Sequence, residues 1–369
     1  MVTNPFKPTA GATPPVLVGR QEAIEQFAES LDNGPGAPGL LTRFTGSRGT
    51  GKTVMLTAFR REAEARGWTT LSETATPGLV ARLAEAAARE ARRLKPRSRR
   101  RRDVVSITLP QAFGVGGGGV SFAPTPVQAV DLREQLGLLA DLAGKRQAGL
   151  LITVDEVHSV ARDDLRALST VFQHLVTEDR PVGLALAGLP AAVSDTLNDA
   201  VMTFLRRAVA VELGEVTRQQ VKLAFEDQAK ATGVAFETGL LDQAADATEG
   251  YPFMIQLVGY HVWRQAEAGR IGQRQLEAGI SAAREQLGAS VLAAALGDLS
   301  PGDRAYLAAM AVDDGPSSTG EIAVRLGRTP SAAGQYRLRL IAAGVIEPAG
   351  HGLADIALPY LRDFLRSGR

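Results

Sequence analysis

Gly46-Ser47-Arg48-Gly49-Thr50-Gly51-Lys52-Thr53 is the stretch on which the fold turns. Glycine stands at its first, fourth and sixth positions, and a lysine and a threonine close it, which is the spacing of a phosphate-cradling loop. Each residue type has a chemical reason. Glycines let successive backbone N–H groups turn inward around an anion, and the N-terminus of a following helix adds a positive end. Lys52 can reach the β- and γ-phosphates of a nucleotide, and the Thr53 hydroxyl can coordinate Mg²⁺. The flanks agree. Residues 39–45 form a short apolar run that predicts a strand, and 53–66 have the spacing of a helix. A strand, a glycine-rich loop and a helix make a P-loop, so Gly46, Ser47, Arg48, Gly49, Thr50, Gly51, Lys52 and Thr53 are the candidate residues for binding ATP or a similar triphosphate.

Further along the chain, Leu150-Leu151-Ile152-Thr153-Val154-Asp155-Glu156 is an apolar run ending in two carboxylates. The continuous apolar run over 149–154 has the length and character of a buried parallel strand. Beside a P-loop it has the form of a Walker B strand, in which Asp155 holds Mg²⁺ through water and Glu156 polarises the attacking water as general base. Glu156 separates binding from hydrolysis, because a chain with Asp155 alone would hold Mg²⁺ and lack a base.

Around these two motifs the pattern alternates. Residues 21–31 predict a helix, 68–73 a second strand, and 79–94 an alanine-rich amphipathic helix. A helix over 127–143 leads into the Asp155 strand, and a helix over 163–177 leads to another apolar run at 182–189. Alternating units of this kind predict an α/β core with a parallel sheet and flanking helices. Residues 95–126 break the pattern with the basic run Arg97 to Arg102 and the glycines of 114–119, and are expected to form a mobile insertion. From 217 to about 296 the pattern is helical throughout. Ser300 followed by Pro301 predicts a helix start, and the rest of the chain predicts three short helices and a hairpin. The expected organisation is a flexible N-terminal tail (1–15), a P-loop core (16–215), an all-α unit (216–298) and a winged helix-turn-helix (299–369).

Composition narrows the function. The 369 residues carry a formal net charge of +1, 45% hydrophobic and 22% charged residues, and no cysteine. Disulfides, thiolate chemistry and cysteine-ligated metals are excluded, and the four scattered histidines have no ligand spacing. The near-neutral charge gives no global case for nucleic acid. No apolar run approaches the roughly 20 residues of a membrane span, and the Pro- and Thr-rich start lacks the pattern of a signal peptide, so a cytoplasmic location is expected.

Together, the P-loop, the Asp155-Glu156 pair and Val18-Gly19-Arg20 ahead of the first helix resemble the AAA+ and STAND ATPases, especially replication-initiator-like members and bacterial "AAA family ATPases". The resemblance extends over nearly the whole chain, since in that group a helical lid and a C-terminal winged helix follow the core. It implies that Val18, Gly19 and Arg20 lie against the adenine, and that Gly250-Tyr251-Pro252-Phe253 corresponds to a Gly-x-Pro signature with Pro252 at the nucleotide. It implies that Arg206 and Arg207 stand where an arginine meets the γ-phosphate of a neighbour or of its own site. It also exposes departures. The 182–189 strand ends in Gly188-Leu189-Pro190, with no polar sensor side chain, and Phe253 replaces the arginine that many members carry after the proline. On the winged helix, Arg328, Arg337 and Arg339 are the candidate DNA contacts, although 299–369 holds eight basic and seven acidic residues, which is no strongly basic footprint. The expectation is a slow Mg²⁺-dependent ATPase with ATP and ADP as its ligands, working as a switch. Alternatives are a nucleotide-binding scaffold that recruits a protein effector, and an oligomeric DNA-loading or remodelling ATPase.

Overall fold

The computed structural model describes residues 4–9, 14, 17–95, 126–159, 162–190, 204–297 and 299–367. At its centre are five parallel strands: β1 (Leu41–Thr45), β2 (Thr69–Thr74), β3 (Leu150–Asp155), β4 (Val182–Gly188) and β5 (Val209–Glu212), in the order β2-β3-β4-β1-β5. The flanking helices are α1 (Gln21–Asn33), α2 (Lys52–Ala65), α3 (Leu79–Leu94), α4 (Pro126–Gly144) and α5 (Arg162–Thr177). Strand side chains alternate between faces with period two, and here both faces are covered. Leu150, Ile152 and Val154 of β3, with Val182, Leu184 and Leu186 of β4, pack under α3, α4 and α5. Leu151, Ala185 and Ala187 point the other way, into a core with Phe27 of α1, Phe44 of β1 and Phe59 of α2. Phe27 and Phe59 stack there with centroids 3.8 Å apart. Burial on both faces explains why β3 and β4 read as continuous apolar runs.

The strand order sets the site. From β1 the chain crosses to the β2 edge and returns strand by strand to β4, and then passes β1 to reach β5. In parallel sheets of this kind ligands sit in the crevice beyond the carboxyl ends of the strands, where the direction of winding changes. The loop after β1 and the carboxylates at the end of β3 both open there, separated by β4.

Helices α6 (Arg218–Thr232), α7 (Leu240–Asp246), α8 (Pro252–Arg264) and α9 (Gln273–Leu287) follow, and a single π turn over Gly288–Leu292 carries α9 into α10 (Ala293–Gly297). This part is not wholly helical: Ala235–Phe236 and Arg270–Ile271 form a short parallel ladder. The last stretch contains α11 (Pro301–Met310), capped by the Ser300 hydroxyl accepting from the Asp303 N–H at 3.2 Å, then α12 (Thr319–Arg325), α13 (Pro330–Ala342), a hairpin of Ile346–Pro348 with Leu353–Ile356, and α14 (Leu361–Arg366). A third short strand, Ser317–Ser318, pairs with the second hairpin strand. This order is compatible with a winged helix. One apolar cluster runs without a break from Val221 in α6 to Leu361 in α14.

The expected mobile insertion falls almost wholly at 96–125, outside the described residues, and with it Arg97 to Arg102. Part of the expected N-terminal tail is packed: Phe6 is buried against α6 and α8. No described helix is long and apolar enough to cross a membrane.

Candidate nucleotide site

The loop between β1 and α2 is shaped by what its glycines exclude. A Cβ at Gly46 would lie 2.5 Å from the Thr50 hydroxyl and 2.6 Å from the Leu213 carbonyl oxygen. Gly49 has φ +77°, and a Cβ there would meet the Tyr251 hydroxyl at 1.8 Å. Tyr251 comes from the start of α8 and reaches beneath the loop, donating from its hydroxyl to the Arg48 carbonyl at 2.9 Å. Burial pushes its phenol pKa well above the usual value, so it remains a protonated donor.

Lys52 is only 7% exposed. Its ammonium donates to the carbonyls of Gly46 at 2.9 Å and Ser47 at 2.7 Å, folding back over the loop. Burial lowers its pKa, and the negative charges of Glu156 and Asp155 act against that shift. One residue on, the Thr53 hydroxyl donates to Asp155 Oδ2 at 2.5 Å, so the loop and the β3 carboxylate meet. The Thr53 hydroxyl and the Asp155 carboxylate are hard oxygen donors, and Mg²⁺ typically takes one or two such ligands from the protein while keeping water and phosphate oxygens.

Glu156 leaves β3 in a left-handed conformation, φ +56°, unusual for a residue with a long side chain. Its N–H donates to Asp155 Oδ1 at 2.8 Å, and one of its carboxylate oxygens lies 2.9 Å from His158 Nε2. That hydrogen bond holds the Glu156 carboxyl below the usual range against the opposing effect of partial burial, with weaker help from the positive charges of Lys52 and Arg48. His158 was not among the expected site residues. Its Nδ1 is buried without a partner among the described residues.

Lys52, Thr53, Glu156 and His158 border one cavity of about 930 Å³, within the size range of small-molecule sites, while Gly46, Ser47 and Asp155 stand behind its lining. Val18 and Arg20 line it, as do Arg48 to Thr53, Glu156 and Pro252. Gly19 sits in the turn between Val18 and Arg20 with φ +69°, against Val216 and Gln220. The Arg20 guanidinium donates to the Gly214 carbonyl, and its half-burial lowers its pKa. Both departures from the sensor pattern also face the cavity, at Leu189 and Phe253. Leu189 is buried and lies against Gly344 of the C-terminal unit, where a Cβ would meet its Cδ2 at 2.8 Å.

Other expected residues lie elsewhere. Arg206 and Arg207 are in a turn before β5. Because β5 runs parallel to β1 with Val209 opposite Thr42, that turn is at the other end of the sheet from the loop after Thr45. Neither arginine lines the cavity, and both are exposed. They do not reach their own chain's site. In the C-terminal unit, Arg328 is exposed, but the other two expected DNA contacts are engaged within it. Arg339 bonds Asp303 Oδ1 at 2.7 Å and lies over the Tyr336 ring, and Arg337 donates to the Leu353 carbonyl at 3.0 Å.

Fold and site together define a P-loop nucleoside triphosphatase. Residues 16–186 match the family model described as AAA ATPase domain, and that stretch is an AAA ATPase domain. Residues 289–365 match a domain of unknown function (DUF8462). No curated protein gives a match. Among solved structures, the ORC2 protein of Aeropyrum pernix in its ADPNP-ADP complexes is 17% identical, with 98% of this chain and 96% of that one covered and a TM-score of 0.63. The Walker-type ATPase PABY2304 of Pyrococcus abyssi is 15% identical over 95% and 96%, with a TM-score of 0.66. Cdc6p from Pyrobaculum aerophilum is 17% identical over 98% and 96%, with a TM-score of 0.50. At these identities the likeness is one of fold, which this chain shares with those structures over nearly its whole length.

Proposed function

We propose that the protein is a slow Mg²⁺-dependent ATPase that works as a nucleotide-controlled switch, with a core (16–215), a helical lid (216–298) and a winged-helix unit (299–369). The observation that carries this is the composition of one cavity: Lys52, Thr53 and Glu156 line it, with Asp155 bonded to Thr53 behind them, while the two sensor positions hold Leu189 and Phe253. In this reading Lys52 exchanges its two loop carbonyls for phosphate oxygens, and its buried charge gains a strong counterion. Thr53, and Asp155 through water, would hold Mg²⁺, which when bound would supply charge neutralisation at the phosphoryl group. Glu156 orients and deprotonates the attacking water, and His158 fixes the carboxylate until substrate enters.

Slow turnover follows from the leucine and the phenylalanine. Removing one preorganised donor to a developing negative charge costs about 10²- to 10³-fold in rate. Leu189 also supplies the switch, because the residue next to the phosphate end packs against Gly344, so local movement there is transmitted to the C-terminal unit. Amide hydrogen exchange around Gly344 in the ATP- and ADP-bound protein tests this: a difference is expected, and identical protection would remove the switch.

A second reading, nucleotide-dependent assembly, is supported by the exposure of Arg206 and Arg207 at the far end of the sheet, where an adjacent copy could take them. Binding of DNA by the winged-helix unit has weaker support, since Arg337 and Arg339 are engaged internally and Arg328 alone of the three is left to it.

A further inference from the structure

The N-terminal residues 4–9 are seated by a small number of specific contacts. Phe6 is 5% exposed. Its ring meets those of Trp263 at 4.8 Å and Phe225 at 5.5 Å, both edge to face. It sits in a notch that exists because residue 259 is glycine: a Cβ there would be 2.4 Å from Phe6 Cδ1. The Asn4 side-chain amide donates to the Tyr260 carbonyl at 2.8 Å, and the same side chain accepts the Phe6 N–H at 3.0 Å, which turns the chain into the notch. The Lys7 N–H donates to Gln256 Oε1 at 3.2 Å. Of these anchoring residues Gln256, Gly259, Tyr260 and Trp263 belong to α8, and Phe225 to α6.

The next three residues face the cavity. Lys7, Pro8 and Thr9 line it, and so do Gln256 on the lid side and Val18 and Arg20 on the core side. We infer that residues 4–9 are a functional part of the nucleotide site: a strap, pinned to α8 by Phe6, that supplies one wall of the cavity and makes nucleotide affinity depend on its being seated. This rests on the reading of the cavity as the nucleotide site. The wall offers an apolar ring from Pro8, a hydroxyl from Thr9 and a cation from Lys7, groups suited to a base and ribose bearing an anionic tail. Ordering six residues costs conformational entropy that one buried aromatic and two hydrogen bonds to the lid only partly return. A ligand touching the strap therefore tips the balance. By linkage, the factor by which seating strengthens nucleotide binding equals the factor by which nucleotide strengthens seating.

The test is calorimetric titration of the full chain with ADP and with Mg·ATP. Phe6→Ala empties the notch and Gly259→Ala fills it, and neither position lines the cavity. Each should weaken binding about tenfold or more, and exchange of the Phe6 and Lys7 amides should slow by a similar factor when nucleotide is added to the wild type. A triple variant, Lys7→Gly with Pro8→Gly and Thr9→Gly, strips the wall at partly or fully exposed positions and should weaken binding with an unchanged melting temperature. Wild-type affinity in both Phe6→Ala and the triple variant overturns the strap while leaving the nucleotide reading in place. A wild-type chain that binds neither nucleotide overturns both.

Discussion

Gly49 and Gly51 both have positive φ in the same loop, and they differ in what stands over them. A Cβ at Gly51, φ +95°, has nothing within 4 Å, whereas one at Gly49, φ +77°, would overlap Tyr251 at its hydroxyl (1.8 Å), Cζ (2.5 Å) and Cε2 (2.9 Å). Gly51→Ala should therefore cost only backbone strain, about 1–2 kcal/mol. Gly49→Ala carries the same strain and must also push the ring aside, breaking the bond to the Arg48 carbonyl and leaving a buried polar group unpaired, a further ~1–3 kcal/mol. The sum is about 2–5 kcal/mol. Denaturant unfolding without nucleotide measures both, from the midpoint shift at constant slope. In a Tyr251→Ala background the obstruction is gone, and the added cost of Gly49→Ala should fall to the level of Gly51→Ala. Equal costs for the two glycines in the wild-type background would refute the claim that Tyr251 braces the loop from beneath.

Four further outcomes are expected. Arg339→Ala leaves the buried Asp303 carboxylate with Ser300 alone and should destabilise the C-terminal unit by about 1 kcal/mol, read by thermal melting, whereas Arg328→Ala should leave the melt unchanged. The Arg325 and Ser317 hydrogen bonds hold the Asp313 carboxyl at about 2, below its unfolded value of about 3.8, so the pair adds stability above pH ~4 that is lost as pH falls towards 2; in an acid titration followed by circular dichroism, Arg325→Ala should unfold at higher pH. Gly344→Val would drive a side chain into Leu189 and should loosen the C-terminal unit, giving faster proteolysis there. Replacing Arg206 and Arg207 by alanine should leave hydrolysis at high dilution unchanged and remove any part of the rate that grows with protein concentration.

The elements that sequence periodicity locates well are the ones whose packing is local and repetitive. Strand β3 and helix α3 stand within a residue of their expected bounds, since burial on both faces gives one a continuous apolar run and the alanine-rich stripe gives the other a clear face. The ladders at 235–236, 270–271 and 317–318 are too short to show a period, so nothing marks them along the chain. The Gly-rich loop was legible because its chemistry is contiguous. Tyr251 beneath that loop was not, since the contact joins residues 203 apart. Phe6 was hidden by its Pro- and Thr-rich surroundings, and its partner is an absence, the missing side chain of Gly259. His158 was the one omission with a readable signal, standing two residues after Glu156 at a turn. In the C-terminal unit, charge counted on a helix face does not reveal partners: Asp303, on another helix, pairs with Arg339.

The central claim is that Mg·ATP is hydrolysed in this cavity with Glu156 acting on the attacking water. Single-turnover hydrolysis by the wild type and by Glu156→Gln, each with Mg²⁺ and saturating protein, tests it most directly. The account predicts slow but measurable turnover in the wild type and a rate at least about 10²-fold lower in the variant, with ATP still bound. Equal rates in the two proteins would contradict it.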